Sequence, residues 1–432
     1  MDISRLRARF DLAIRVVLYI LLFWIPYSPA VIEICVILGL SLFFIKRLIV
    51  PQNNIPNGKF YFIHDLAIAL TLKRNPLNKP ILLFLLIAFF SASLSPYGNQ
   101  ALSAFFRKIL EWFVIFYLVF EVFTEKKHIQ MALVIVLFTT LGVIVDGFVQ
   151  FYLTGKDIFF GKEVLSGGIT ASFNHPNSLG AYLALLIPLA AALAADSKAV
   201  IWRNIAVGFF VILTVWLLVL TASRAACIAA FAGIFFLLFF LRRRFLCWFL
   251  AGILSCALLF YFLSSPDSRY KLKLENVNIQ STVAWRLGVW QDSWEMVQQK
   301  PWIGHGPGTY MKNFQHYRRG GSHYNPTYAH NCYLQMAAEV GILSLLAFLS
   351  ILAAMFKRVF QNFHGEEQDR QLHLIFWGLA AGIVAFLVHS FFDINFYSLQ
   401  LSSIFWFIMG LFISTDRLLN RSNLYSVQVA TY

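Results

Sequence analysis

Three side chains frame the chemistry open to this sequence: Arg224, Arg286 and His330. Arg224 closes the turn Thr221-Ala222-Ser223-Arg224 between two apolar runs, with no acidic residue near it in sequence. A charge at or near hydrocarbon costs several kcal/mol unless it is paired or hydrated. Such an arginine either snorkels to the interface or holds an anion. Arg286, at the edge of an apolar helical stripe, offers the same choice between lipid phosphate and a bound ligand. Two guanidinium forks delivered from different elements to one surface suit a diphosphate, whose oxygens they bind bidentately where lysine acts as a point charge. His330 differs in kind. An imidazole titrates near neutral pH and is suited to take a proton from a sugar hydroxyl, although at a helix start it is equally a structural group.

Weaker candidates stand around these three. Asn331 either orients His330 or caps the helix that follows it, and with Asn177 and His305 it is also a candidate contact to substrate. His305 lies in Gly304-His305-Gly306-Pro307-Gly308, a backbone-permissive turn, and His305, His316 and His323 all fall on tracts expected to be exposed. Arg318 and Arg319, beside Gly320-Gly321, read as a hydrated face or as further contacts to an anionic substrate. Phe173 to Gly180 opens another apolar run. Asn174 or Asn177 is expected to cap the free N–H groups there, and those same N–H groups can face an anion. Glu33, Glu111 and Asp146 sit inside three different apolar runs without sequence partners, a weak pattern for proton coupling. No outer loop carries a DxD-like pair of carboxylates, so arginines rather than a metal are expected to neutralise a diphosphate. No GxSxG, HExxH or Walker sequence occurs.

The elements that must position these residues are membrane helices. A chain of 432 residues that is 59% hydrophobic and 13% charged is too apolar for a soluble domain. The net charge of +14 comes from short clusters beside apolar runs, a topogenic pattern that argues against nucleic acid as a partner. Cys35, Cys227, Cys247 and Cys256 fall within spans, only Cys332 nears the outer surface, and no CxxC pair exists.

Runs near the ~20 residues needed to cross hydrocarbon occur at 11–26, 29–49, 80–96, 101–123, 129–152, 177–195, 204–220, 225–241, 245–263, 332–356, 374–392 and 397–414. The expectation is an all-α polytopic protein with about twelve spans. Basic residues cluster on alternate connections, from Arg5, Arg7 and Arg9 to Arg417 and Arg421, which makes those connections and both termini cytoplasmic. The first helix is expected to be retained, since no small-x-small cleavage site follows it.

Three parts follow: 1–263 with spans one to nine, a 264–331 outer loop domain with short helices, and 332–432 with spans ten to twelve and a cytoplasmic tail. Linker 50–79 reads as a solvated connector with a short interfacial helix around His64 to Leu72. In the outer loop, Val283, Leu287, Trp290, Trp294 and Val297 recur at helical spacing, and Pro301 ends the run. That stripe is expected to lie along the membrane interface, with Arg286 at headgroup depth. A second short helix is expected from about Thr309 to Arg319.

Taken together, the Phe173–Leu183 segment, Ser223-Arg224, Trp285-Arg286, Gly304-x-Gly306-x-Gly308 and His330-Asn331 followed by Glu339-Val340-Gly341 resemble the O-antigen ligase and polymerase superfamily. The order of these short motifs and their place in the topology carry the likeness over nearly the whole chain. The resemblance implies a bacterial inner-membrane glycosyltransferase acting at the periplasmic face, without metal or other cofactor. It would take a glycan from undecaprenyl diphosphate and transfer it to the lipid A-core or another glycan acceptor, among membrane lipids. Arg224 and Arg286 would hold the diphosphate and His330 would assist transfer. The segment Tyr310 to Tyr328 does not align with the family pattern, which leaves His316, Arg318 and Arg319 without a role. With one long outer loop, a ligase is expected ahead of a polymerase or protein oligosaccharyltransferase. From a different class, a carrier or flippase for the lipid-linked glycan would place its charges near the midplane.

Overall fold

The computed structural model describes residues 3–49, 73–164, 168–196, 198–241, 279–318, 328–362 and 369–430. Among them the chain is helical: α1 (Ile3–Trp24), α2 (Pro29–Ile49), α3 (Asn78–Ser93), and α4 (Gly98–Ala104), which passes through a π-helical turn into α5 (Leu110–Val122). There follow α6 (Lys126–Val149), α7 (Pro176–Ala194), α8 (Ile201–Leu220), α9 (Arg224–Leu241), α10 (Ile279–Gln299) and α11 (Tyr310–Phe314). The chain closes with α12 (Cys332–Gln361), α13 (Arg370–Ser390) and α14 (Leu399–Ala430). Eight helices among the described residues are long and apolar enough to cross a membrane. The protein is an all-α, multi-pass membrane protein. Every expected span except the ninth coincides with a helix; 245–263, like the helix expected around His64 to Leu72, lies outside the described residues.

Burial shows which faces meet lipid. On α8, Ile205, Phe209, Ile212 and Val219 recur on one side and stand more than half exposed, as a hydrocarbon-facing stripe requires. In contrast α13 is buried nearly all round, from Leu372 to Ser390, because α7, α9 and α14 enclose it. Lipid tails are as apolar as leucine, so close backbone approach rather than hydrophobicity must hold such helices together. Small residues provide it. A Cβ on Gly382 would strike the Leu185 carbonyl, and one on Gly233 would meet Pro188 and the Ala381 carbonyl.

These contacts set the register. Gly378 faces Leu189 and Ala192 while Gly382 faces Leu185, so α7 and α13 run antiparallel. Continued at about 1.5 Å per residue, that register puts the start of α7 level with the end of α13. Gly180 abuts Ser223 and Ala226 at the start of α9, so the turn that carries Arg224 docks on the first part of α7. Ala222 adopts a left-handed backbone (φ 54°) and the Ser223 hydroxyl accepts the Ala226 N–H, which starts α9 sharply.

Candidate functional site

The long segment before α12 is fastened to the bundle by the glycines and the acid noted in the sequence. Gly304, Gly306 and Gly308 all have positive φ, and a Cβ on Gly304 would overlap the Glu339 carbonyl. The His305 and Gly306 N–H groups donate to Ala338 and Glu339 carbonyls at 3.1 and 2.7 Å. The buried Glu339 carboxylate then accepts from Gly308 N–H (2.9 Å) and Tyr310 N–H (3.1 Å). Gly341 breaks α12 with φ 85°, which frees Ile342 N–H to reach the Pro301 carbonyl. Residues 301–310 are thereby laid along the kink of α12, and α10 follows them.

α10 docks differently from expectation. Its buried face is Val289, Asp292, Ser293, Met296 and Val297, packed against α11 and α12, whereas Leu287 and Trp294 are exposed. Packing on protein outweighs the stripe Val283 to Val297, and the helix is rotated accordingly. Arg286 is therefore half-buried instead of hanging at the periphery. Its Nε is enclosed and has no hydrogen-bond partner among the described residues.

The same helix grips His330 from two sides. The Trp285 ring stands edge-on to the imidazole at 5.2 Å, and Trp290 Nε1 donates to the Ala329 carbonyl at 2.9 Å. His330 has φ 50°, a left-handed conformation rare for a residue with a Cβ. Asn331 then caps α12, its side-chain oxygen accepting Tyr333 and Leu334 N–H at 3.0 Å each. With that oxygen committed to two backbone donors, Asn331 acts as the helix cap, one of the roles expected of it.

His330 Nδ1 lies 3.5 Å from Asp393 Oδ1, a carboxylate the motif reading did not single out. Asp393 follows α13, is buried, and accepts the Ile394 N–H at 2.8 Å, while its carbonyl accepts Cys332 S–H at 3.1 Å. Burial pushes this carboxyl up, but His330, His389 and the Ile394 N–H more than offset it and hold the group well below the usual carboxylate range. A proton on Nδ1 would face the carboxylate and leave the Nε2 lone pair as the basic site. His389, fully buried, is oriented by Asn395 Oδ1 at 3.0 Å from its Nδ1.

His175 completes the cluster. It, rather than Asn174 or Asn177, caps α7, for its Nδ1 accepts the Asn177 N–H at 3.1 Å. An accepting imidazole must be neutral at that nitrogen. Desolvation lowers its pKa, Asp393 raises it, and His330 and Arg286 lower it further, with a net value below the ordinary one. Asn174 meanwhile accepts Lys162 Nζ at 2.7 Å.

The structure thus brings Arg286, His330, Asp393, His389 and His175 within electrostatic reach of one another, from α10 and the ends of α7, α12 and α13. Arg224, exposed at the first position of α9, stands level with them: Gly233 faces Ala381 and Ala385, and nine residues back along α9 correspond to the segment just past α13. His305 is not part of the cluster. It is buried with Nε2 3.1 Å from the Met296 carbonyl and its ring against Tyr317, so it braces the loop to α10, and burial lowers its pKa. Arg318 follows the short α11, which ends at Phe314 well before the expected Arg319. Arg319 and His323 lie outside the described residues. Among the described residues no three His, Cys, Asp or Glu side chains converge as metal ligands.

Asp393 was accessible as a signal, being a lone acid in a short connection between two spans; its pairing with His330 across 63 residues was not. An imidazole backed by a carboxylate and flanked by an arginine that no carboxylate among the described residues neutralises can accept a proton from a hydroxyl beside a bound anion. No curated protein matches the chain. Residues 209–349, from mid-α8 through the kink of α12, match the family model described as O-Antigen ligase. Over these residues the chain is similar to the O-antigen ligase superfamily, a class of glycosyltransferase-like membrane enzymes.

Proposed function

We propose that the protein is an O-antigen ligase of the bacterial inner membrane, transferring a polysaccharide from undecaprenyl diphosphate to a sugar of the lipid A-core at the periplasmic face. The observation that carries this is the His330–Asp393 pair beside Arg286, whose Nε has no partner among the described residues. An acceptor hydroxyl gives its proton to His330 Nε2 as its oxygen attacks the anomeric carbon. The bond from that carbon to the diphosphate oxygen breaks, and configuration inverts. Negative charge grows on the leaving diphosphate in the transition state, so Arg286, with Arg224 from the facing turn, acts mainly on rate. Asp393 fixes the imidazole tautomer and stabilises the imidazolium that forms.

The lipid tail is proposed to lie between spans, which keeps the diphosphate at the level of the helix ends. Both termini are then cytoplasmic, on the side of the basic clusters. The test is transfer by purified protein in detergent, with undecaprenyl-diphosphate glycan as donor and lipid A-core or free repeat units as acceptor. Arg286→Ala and His330→Ala, each with an unchanged melting temperature, are expected to lower turnover by about 10²-fold or more. Full activity in both variants would remove the proposal. Product on repeat units but not on lipid A-core would convert it to a polymerase, and no product with either would favour a carrier.

A further inference from the structure

Between α6 and α7 the chain folds back on itself in a clip, 155–164, that the proposed reaction leaves without a role. Val164 N–H donates to the Gly155 carbonyl at 3.1 Å, and Asp157 N–H to the Lys162 carbonyl at 2.9 Å. The Asp157 carboxylate accepts the Phe160 and Lys162 N–H groups at 2.6 Å each. Buried Gln150, on the π-helical turn that closes α6, donates to the same Lys162 carbonyl at 3.0 Å. Its Oε1 accepts the Thr170 and Ala171 N–H groups at 3.0 and 2.9 Å. The backbone of Lys162 is therefore fixed, and fixed to the segment that leads into α7.

The side chain is aimed as well. Lys162 Nζ lies over the Phe160 ring, 4.5 Å from its centroid, and donates to Asn174 Oδ1 at 2.7 Å, one residue before His175. Asp146, which anchors the clip through the Ile158 N–H at 2.7 Å, is within electrostatic reach of this ammonium. Its second oxygen is buried and takes no hydrogen bond among the described residues. A lysine that served only to fasten the clip would take that acid, as Lys156 takes Glu163 at 3.4 Å. Lys162 instead has no carboxylate partner among the described residues and spends one of its three N–H donors on a neutral amide.

The surroundings place that charge at the candidate site. His175 is within electrostatic reach of Arg286, His330 and Asp393. The turn before Arg224 rests on the same segment, since Ile169 N–H donates to the Leu220 carbonyl at 3.2 Å and a Cβ on Gly168 would overlap the Thr221 carbonyl. Asn174 and His175 are exposed, so the ammonium stands at an open edge.

Charge counting says what it meets there. A diphosphate joined to a lipid at one end and a sugar at the other carries two negative charges, which Arg224 and Arg286 match. When the bond from the anomeric carbon to oxygen breaks, the electron pair stays with the diphosphate. Its terminal phosphate becomes a monoester, whose second ionisation falls at about pH 6, so a third negative charge appears.

We propose that Lys162 is the third cation of the diphosphate site, meeting the charge that arises as the lipid diphosphate leaves. The inference rests on the transferase reading, which supplies the other two cations.

The test uses full-length protein in nanodiscs. Lys162→Gln keeps a donor for Asn174 and removes the charge, while Lys162→Arg keeps the charge. At unchanged melting temperature, Lys162→Gln is expected to bind undecaprenyl diphosphate about tenfold more weakly and undecaprenyl monophosphate about twofold more weakly. Its kcat should fall about tenfold with donor KM near that of wild type. Lys162→Arg should restore both to within about threefold of wild type. Wild-type affinity for the diphosphate in Lys162→Gln would overturn the proposal. Equal losses for the two lipids that Lys162→Arg fails to restore would do the same, by assigning the lysine to the fold of the clip. Undecaprenyl diphosphate carries the third charge without any transfer. Wild-type protein that binds it but makes no product therefore removes the transferase reading and leaves the binding comparison to decide on Lys162.

Discussion

At the end of the bundle away from the candidate site, basic side chains meet acids. Lys46 Nζ lies 2.6 Å from Asp11 and 2.8 Å from Glu121, and Arg47 and Lys73 each approach Glu121 at 3.3 Å. Lys126 pairs with Asp369, Arg203 with Asp196, and Arg358 with Asp416. At the site end, Arg224 and Arg286 have no carboxylate partner among the described residues, and the buried acid there, Asp393, faces a histidine. Exposed pairs such as Arg107 with Glu33 occur at that end as well, away from the cluster. The difference separates two uses of charge. Paired cations fasten helices to one another, while an arginine that no carboxylate among the described residues neutralises is left to meet an anion from outside the chain.

The sharpest way to break that contrast is to exchange the roles. Glu121→Gln leaves Arg47, which is 4% exposed, without its acid. It is expected to lower stability by about 3–5 kcal/mol, seen as a fall in melting temperature, with turnover per folded molecule retained. A variant that melts normally but loses transfer would show that the far end is not merely structural.

Asp393→Asn should act on rate as well as on stability. The amide keeps the volume but not the charge that sets the His330 tautomer, so transfer per folded molecule is expected to fall by about 10²-fold, roughly 2.7 kcal/mol in barrier, while melting also falls because the stabilising carboxylate is lost. Wild-type rates in Asp393→Asn would detach the carboxylate from catalysis.

Asn331→Ala removes the cap of α12 and should cost about 1 kcal/mol, read by melting. A cost near zero would free Asn331 for the substrate contact first expected of it.

The smallest effect is that of pH. His175 and His305 both have folded pKa values below the ordinary one. The unfolded chain takes up their protons near pH 6.5, and the folded chain only at lower pH. Stability should therefore fall as pH drops from about 6.5 through the folded values and be unaffected by these groups above that window. Asp393, depressed, contributes above about pH 3.9 and loses its contribution only at lower pH. Melting curves between pH 8 and 5, given as approximate limits of the histidine window, check the sign; a rise in stability on acidification would contradict it.

Much of the fold was legible because membrane helices are specified locally. A run long enough to cross hydrocarbon must satisfy its own backbone, so Pro29–Ile49 or Ile201–Leu220 could be placed from apolar length alone. The Gly304, Gly306 and Gly308 turn was legible for a similar reason, since positive φ favours glycine. Other expectations failed where a second element entered. The rotation of α10 was decided by α11 and α12, and His305 was drawn inward by the Met296 carbonyl.

By itself, then, the sequence determined that this chain is a bundle of apolar helices carrying Arg224, Arg286 and His330 at helix ends or in the long connecting segment, because helix formation and hydropathy act over neighbouring residues. The tertiary structure alone decided that Asp393 stands behind His330, that His175 caps α7 beside them, and that Arg286 is half-buried near them. Those facts depend on the register of helices far apart in the chain. Glycine contacts such as Gly382 on Leu185 set that register, and no local pattern encodes it.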